Sequence, residues 1–385
     1  MLGTAADAML DEEHRQYRES CRAFMLDKLA QPAARGESER VFPLEVYSIL
    51  REHGFLAPNY PEAIGGGGGD LLTGCIYYEE MSRLPAGVSA GVFAHQHLAI
   101  RPILEVGNET QQREFMLPAI RAERIGAFAL TEPDAGSDVQ GIRTFARRDG
   151  DDWIINGAKV YITNGTICDY FVLAARTARE RRPDALTLFL VDRSTPGIDA
   201  RPLDKLGNWS SSTGLVSFDD VRVGSGQLLG RVGGGLAQLK ATLTSGRIMQ
   251  ATRGLGIAQV AYEKTLAYAQ TRHAFGRSIG EFQGVAFKIA DMHAQIEAAR
   301  LMVYSAARAA MRGEDAGRLA SLGKMLTADA VQFATTQAVM LHGGLGYMEE
   351  SGVPRLFRDM PESIIGEGAR EIQARIVARS LGLKC

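Results

Sequence analysis

A chain of 385 residues exceeds what one hydrophobic core usually serves, so two or three domains are expected. Its 45% apolar and 23% charged residues describe an ordinary globular protein, and no uninterrupted apolar run approaches the ~20 residues of a membrane span. A net charge of −2, with basic residues scattered and not gathered into a stripe, argues against nucleic acid as a partner.

The N-terminus, Met1 to Glu13, is small and acidic, without the basic start and apolar centre of a signal peptide or the Arg-rich character of a transit peptide. Cys21, Cys75, Cys168 and Cys385 form no CxxC and imply no disulfide framework, so a reducing, cytoplasmic setting is expected. Residues 1–121 read mostly as helices, with apolar residues at helical spacing in Glu45 to Leu50 and in Ile76 to Met81. Between them, Gly65 to Gly69 lacks the preceding strand, the following Lys-Ser/Thr and the GxGxxG spacing of a phosphate cradle, and reads as a flexible surface loop. His95 and His97 have no third ligand nearby and an i,i+2 spacing unsuited to a helix, so no metal is expected.

Residues 122–230 change pattern to short apolar runs separated by turn residues. Asn156-Gly157, between Trp153-Ile154-Ile155 and Val160-Tyr161-Ile162, signals a hairpin. Tyr170 to Leu173 and Leu186 to Val191 read as further strands, with the charged Arg176 to Asp184 an exposed loop between them. This zone is expected to form a β-barrel or sandwich. In residues 231–385 helices return after a glycine-rich turn, Gly230 to Gly235. Phe282, Ile289, Met292, Ile296, Ala299 and Val303 keep helical spacing, and Lys324 to Leu341 is an alanine-rich helix. Such long helices with small-residue faces argue for a bundle and for helix-to-helix subunit contacts. The expected fold class is α+β: an N-terminal helical domain, a central β domain and a C-terminal helical bundle.

Two stretches carry chemistry. Gly366-Glu367-Gly368 sets a carboxylate between two glycines on a loop between helical segments, which suits proton abstraction from a close-lying substrate. Phe128-Ala129-Leu130-Thr131-Glu132-Pro133-Asp134-Ala135-Gly136-Ser137-Asp138 offers two hydroxyls and small residues that let a ligand approach the backbone. No Gly-x-Ser-x-Gly is present, so a hydrolase of that type is not indicated.

The second stretch resembles the flavin-binding signature of the acyl-CoA dehydrogenase family, aromatic-x-x-Thr-Glu-Pro-x-Ala-Gly-Ser-Asp, and matches it throughout. Further matches follow in the family's order: Asn156 to Gly165, Thr271 to Gln283, His342 to Tyr347 and Ile365 to Gly368. The resemblance covers nearly the whole chain. It implies a C-terminal four-helix bundle, a homotetramer and non-covalently bound FAD without a Rossmann fingerprint. It implies that Phe128, Leu130, Thr131, Gly136 and Ser137 line the flavin and its pyrophosphate, and that Tyr161, Ile162 and Thr163 lie along the isoalloxazine ring. Arg272, Ala274, Phe275 and Gln283 would hold the FAD of a neighbouring subunit, Arg272 by bidentate pairing with pyrophosphate. Met340, Gly343, Gly344, Ala369 and Glu371 belong to the same FAD surroundings; Met340 replaces a common Gln, and Ala369 and Glu371 replace a common Thr and Gln. Ser137, Gly246, Arg247 and Gly368 would face the substrate.

The implied reaction is α,β-dehydrogenation of an acyl thioester on coenzyme A or an acyl carrier protein, with Glu367 taking the α-proton as a β-hydride passes to flavin. Some relatives carry the base just before an Arg on an earlier helix; here that position is Gly246, which leaves Glu367. Burial is expected to raise its pKa toward the working range. Gly366 replaces a bulky aromatic of some medium-chain enzymes, which would widen the pocket. An electron-transfer flavoprotein is the implied electron acceptor. The alternatives are a monooxygenase on the same fold, using reduced flavin and oxygen, and a non-catalytic flavin-binding protein.

Overall fold

The computed structural model describes residues 5–384; Cys385 and the first four residues of the acidic N-terminus lie outside them. Helices come first: α1 (Glu12–Phe24), α2 (Ala30–Glu39), α3 (Glu45–Glu52), α4 (Leu71–Met81), α5 (Ala86–Phe93) and α6 (Arg101–Val106). Asp70 and Thr73 close a capping box at the start of α4, satisfying N–H groups that the first turn leaves open. Within α5 and the π-helical turn that follows it, Ala94–Ile100, nearly every residue is buried. There the His95 ring accepts from the Gly126 N–H (3.0 Å) and contacts the Ala119 carbonyl (3.1 Å).

The glycine run is corrected by the structure. Gly65 to Gly69 is not a flexible loop: all five N–H groups are hydrogen-bonded to the carbonyls of Glu62, Pro61, Ala57, Tyr60 and Pro58. A Cβ on Gly66 would stand 2.3 Å from the Tyr60 carbonyl oxygen, so close backbone approach explains the composition.

The middle of the chain is an eight-stranded sheet of β1 (Gly126–Ala129), β2 (Phe145–Asp149), β3 (Asp152–Thr163), β4 (Tyr170–Arg176), β5 (Leu186–Asp192), β6 (Ile198–Pro202), β7 (Thr213–Val223) and β8 (Leu228–Leu229). Its order is β6-β7-β3-β2-β4-β5-β8, and β1 pairs in parallel with β4. The expected hairpin at Asn156-Gly157 is not formed. Both apolar runs lie in the single strand β3, and the pair is a bulge where the register against β7 shifts. Gly157 sits at φ +151, with Thr144 Oγ1 2.4 Å from where a Cβ would stand. The Asn156 side chain exchanges two 2.9 Å hydrogen bonds with Asp220 on β7. Pairing to β7 thus claims the groups that a two-residue turn would have used, and the chain reverses earlier, near Gly150 (φ 64) between β2 and β3.

The C-terminal part holds α7 (Gly235–Thr271), α8 (Gln283–Met311), α9 (Gly317–His342), α10 (Val353–Ile365) and α11 (Arg370–Ser380). Leu255 and Ala258 of α7, Ile296 and Val303 of α8 and Val331 and Ala334 of α9 share one buried core with Leu72 and Ile76 of α4. A buried ionic knot fastens the two helical parts. Glu79 on α4 accepts from Arg300 Nε (3.0 Å) and from Tyr304 OH (2.8 Å) on α8, and Arg18 of α1 donates to the same tyrosine oxygen. Among the described residues no helix is long and apolar enough to cross a membrane. Cys21, Cys75 and Cys168 are free and buried.

Candidate functional site

Glu367 lies on the four-residue link between α10 and α11. It is a non-glycine residue in the left-handed region, φ 56, next to Gly368 at φ 92. Such a backbone costs on the order of 1–3 kcal/mol and persists only where neighbours hold it. Two side chains do so. Lys324 Nζ, from the buried face of α9, donates to the carbonyls of Ile364 (3.0 Å) and Gly368 (2.7 Å). Gln373 Nε2, from α11, donates to the carbonyls of Glu367 (3.2 Å) and Gly368 (2.9 Å). The Glu367 N–H has no hydrogen-bond partner among the described residues.

The carboxylate faces α7. A Cβ on Gly246 would stand 3.0 Å from Glu367 Oε2 and 3.5 Å from His97 Nε2, so only glycine lets the carboxylate rest there unpushed. Gly246 sits inside α7, several turns from its start. Burial raises the Glu367 carboxyl above its ordinary pKa, with Glu362 adding to the rise; Lys324, Arg247 and Arg253 oppose it. Lys324 is in turn lowered to about 8, by burial first, against the pull of Glu367 and Glu362. Arg247 is lowered by burial and held up by Glu367, and its buried Nε lacks a partner. His97, stacked on Phe93, is lowered to about 3 by burial, so its ring is neutral.

The room expected at Gly366 is filled: a Cβ there would stand 2.7 Å from Gln250 Nε2 and 2.9 Å from Glu362 Oε1. Those groups belong to a cluster in which the buried Arg253 pairs with the partly exposed Glu362 (2.9 Å) and Gln250 bonds to both.

The Thr131 stretch follows β1 and is stitched to β3. The Val160 N–H donates to the Thr131 carbonyl (2.9 Å), and Lys159 Nζ donates to the Leu130 carbonyl (2.9 Å) and to Glu132 (2.8 Å). Glu132 also accepts from the N–H groups of Arg143 and Thr144. Burial pushes the Glu132 carboxyl up, but Lys159 and these bonds outweigh it and hold it below its ordinary range. Phe128, Leu130 and Thr131 are thereby brought beside Tyr161, Ile162 and Thr163. Ile162 points into the core at 3% exposure, whereas the Tyr161 ring is 69% exposed. Ser137 and Gly136 are exposed, and no atom lies within 4 Å of a Gly136 Cβ. The end of β3 also connects to the Glu367 region. The Asn164 N–H bonds to Ser212, and in the same β6–β7 loop Asn208 reaches Glu362 (3.3 Å) and Asp359 (2.6 Å) on α10.

A second group gathers elsewhere. Tyr268, near the end of α7, stacks on His342 at the end of α9, with ring centroids 4.4 Å apart. Arg272, Ala274, Phe275, Gln283, Met340, Gly343 and Gly344 surround that end of the bundle. Phe275 is 95% exposed and Met340 66%. From Gly246 to Thr271 the α7 axis runs about 37 Å at 1.5 Å per residue, so this group does not meet Glu367 of its own chain. Ala369 and Glu371 stand at the start of α11, beside the Glu367 loop.

Lys324, Gln373, Gln250 and the Arg253–Glu362 pair are site residues that sequence reasoning missed. A signal for Lys324 existed: a lone cation on the stripe Ala320, Lys324, Thr327, Ala328, Val331, which is otherwise small or apolar.

An exposed aromatic ring, hydroxyls on two adjoining strand ends and open glycines suit a flat, polar-rimmed cofactor with phosphates, so the residues present fit FAD. Among the described residues no group of three or more His, Cys, Asp or Glu is arranged to hold a metal ion.

Three family models match the chain: acyl-CoA dehydrogenase N-terminal domain over residues 11–123, middle domain over 127–221 and C-terminal domain over 233–382. An acyl-CoA dehydrogenase of Bacillus subtilis is 37% identical over 371 residues, 96% of this chain and 98% of that protein. Butyryl-CoA dehydrogenase from Megasphaera elsdenii superposes with a TM-score of 0.93 at 34% identity, covering 97% of this chain and 99% of the other. A prolyl acyl carrier protein oxidase superposes with a TM-score of 0.93 at 28% identity, covering 97% and 100%.

Proposed function

The chain belongs to the acyl-CoA dehydrogenase family, and from that premise we propose that Glu367 is the base that removes the α-proton of an acyl thioester, with bound FAD as the acceptor of the β-hydrogen as hydride. The enzyme is an oxidoreductase acting on CH–CH bonds of acyl thioesters. One observation carries the role of Glu367: a carboxylate raised in pKa by burial, on a strained loop held from behind, with an unpaired N–H at the same residue. The carboxylate takes the proton, and the N–H is a ready donor to the charge that develops on the thioester oxygen. Lys324, Arg247 and Arg253 favour the ionised form of Glu367 and oppose the rise that burial causes.

The FAD would lie along Leu130, Thr131, Tyr161 and Thr163 of one copy of the chain, with its far end on Arg272, Phe275 and Gln283 of another. The separation of these groups within one chain supports a shared site in a homotetramer. Re-oxidation by an electron-transfer flavoprotein is the proposed fate of the electrons. Similar proteins include one named for a coenzyme A thioester and one named for an acyl carrier protein, so both carriers belong in the assay.

Purified protein is expected to be yellow and to bleach anaerobically on addition of an acyl thioester. Turnover supported only by external reduced flavin and oxygen would defeat the reading in favour of a monooxygenase. Arg272→Ala is expected to weaken FAD binding by roughly 10–100-fold, seen as FAD lost through gel filtration, since a charge-assisted bidentate contact contributes about 1.5–3 kcal/mol. Flavin reduction in the fraction that keeps FAD should match wild type. Gly246→Val is expected to keep FAD and slow flavin reduction roughly 10²-fold, because the added branch pushes Glu367 off its resting place. Reduction at the wild-type rate would mean that the carboxylate acts from another position.

A further inference from the structure

Resting on the proposed role of Glu367, we infer that Lys324 and Gln373 are positioning residues: by bonding the carbonyls of Ile364, Glu367 and Gly368 on one side of the loop, they hold the Glu367 N–H and carboxylate toward the substrate on the other. The loop needs such a device. Glycines at 366 and 368 leave its peptide planes free to turn, and the left-handed Glu367 is disfavoured by itself. A turned peptide would bring a carbonyl where the thioester oxygen must find a donor. Lys324 and Gln373 reach the loop from different helices, α9 and α11, so the loop is clamped and not merely capped. Both are buried, at 1% and 0% exposure; Gln373 gives its amide N–H groups to the loop, and Lys324 ties the loop to the last turn of α10.

Lys324 adds charge to geometry. Around Glu367 stand Lys324 on α9, Arg247 and Arg253 on α7, and Glu362 on α10, with the neutral His97 ring beyond Gly246. Removing the ammonium leaves the carboxylate with less support for ionisation, so its pKa rises further. Lys324 is lowered only to about 8, so its charge is present across the acidic range in which the carboxylate titrates.

The test is stopped-flow anaerobic flavin reduction of the holoenzyme by butyryl-CoA across pH 5.5–9.5 (assay range on the order of the carboxylate-to-lysine window). Gln373→Leu and Lys324→Met are each expected to slow the limiting reduction rate by about 10–100-fold, with the half-saturating butyryl-CoA concentration changed less than about three-fold. Lys324→Met should also move the acidic limb to higher pH, whereas the charge-neutral Gln373→Leu should leave it in place. Lys324→Arg should restore the acidic limb. Folding is followed by FAD content, and Gln373→Leu serves if Lys324→Met loses FAD. Wild-type reduction rates in Gln373→Leu, or an acidic limb unmoved in a FAD-loaded Lys324→Met, would overturn the inference. No bleaching of wild type by any acyl thioester would instead overturn the proposed function.

Discussion

Glu367→Gln is expected to retain FAD and to lose reduction by acyl thioesters by about 10³-fold. The amide keeps the size of the carboxylate and its contact over Gly246, but it cannot accept a proton at neutral pH. The loop is held through its carbonyls by Lys324 and Gln373, so the substitution should not disturb it. The measurement is the anaerobic reduction rate with a titration of bound flavin. Residual reduction within ten-fold of wild type would move the base to another residue. The change also removes the charge that stands against Lys324, so the Lys324 pKa should fall further below about 8.

The second large effect concerns the buried pair beneath the Thr131 stretch, proposed to bind flavin, and it is asymmetric. Glu132→Leu leaves the Lys159 ammonium, 0% exposed, with only the Leu130 carbonyl, and also strands the N–H groups of Arg143 and Thr144. An uncompensated buried charge costs about 3–5 kcal/mol. Lys159→Met leaves Glu132 with two backbone donors and should cost less, about 1–3 kcal/mol. Both should lose FAD, because Leu130 and Thr131 are anchored through these bonds, with Glu132→Leu losing more. Urea unfolding with flavin release as a second probe gives the order; equal losses, or a larger one for Lys159→Met, would contradict the argument.

Much of this molecule is local in origin and was legible. Helical spacing in Glu45 to Leu50 and in the segment from Phe282 reflects burial of one face, and α3 and α8 stand there. The Gly-Glu-Gly link falls between two helices because glycines end α10 and admit a left-handed neighbour. The matched motifs named the family because they are long strings in fixed order.

Other features depend on partners that arrive from far along the chain. Asn156-Gly157 has the composition of a turn, and only pairing with Asp220 makes it a bulge. The five glycines look loose in sequence, and only the backbone of Ala57 to Glu62 folded over them makes them tight. Gly366 promised space that Gln250 and Glu362 occupy. Lys324 and Glu367 are 43 positions apart, and nothing local ties an ammonium on one helix to the carbonyls of a loop after another. Residue identity and order along the chain suffice for the family, for the succession of helical, β and helical parts and for the residue proposed as base. How Glu367 is held, which charges surround it and how far it stands from the Arg272 group depend on the folded chain. Identity and periodicity act over a few residues, whereas desolvation and hydrogen-bond partnership are set by whichever segments meet in space.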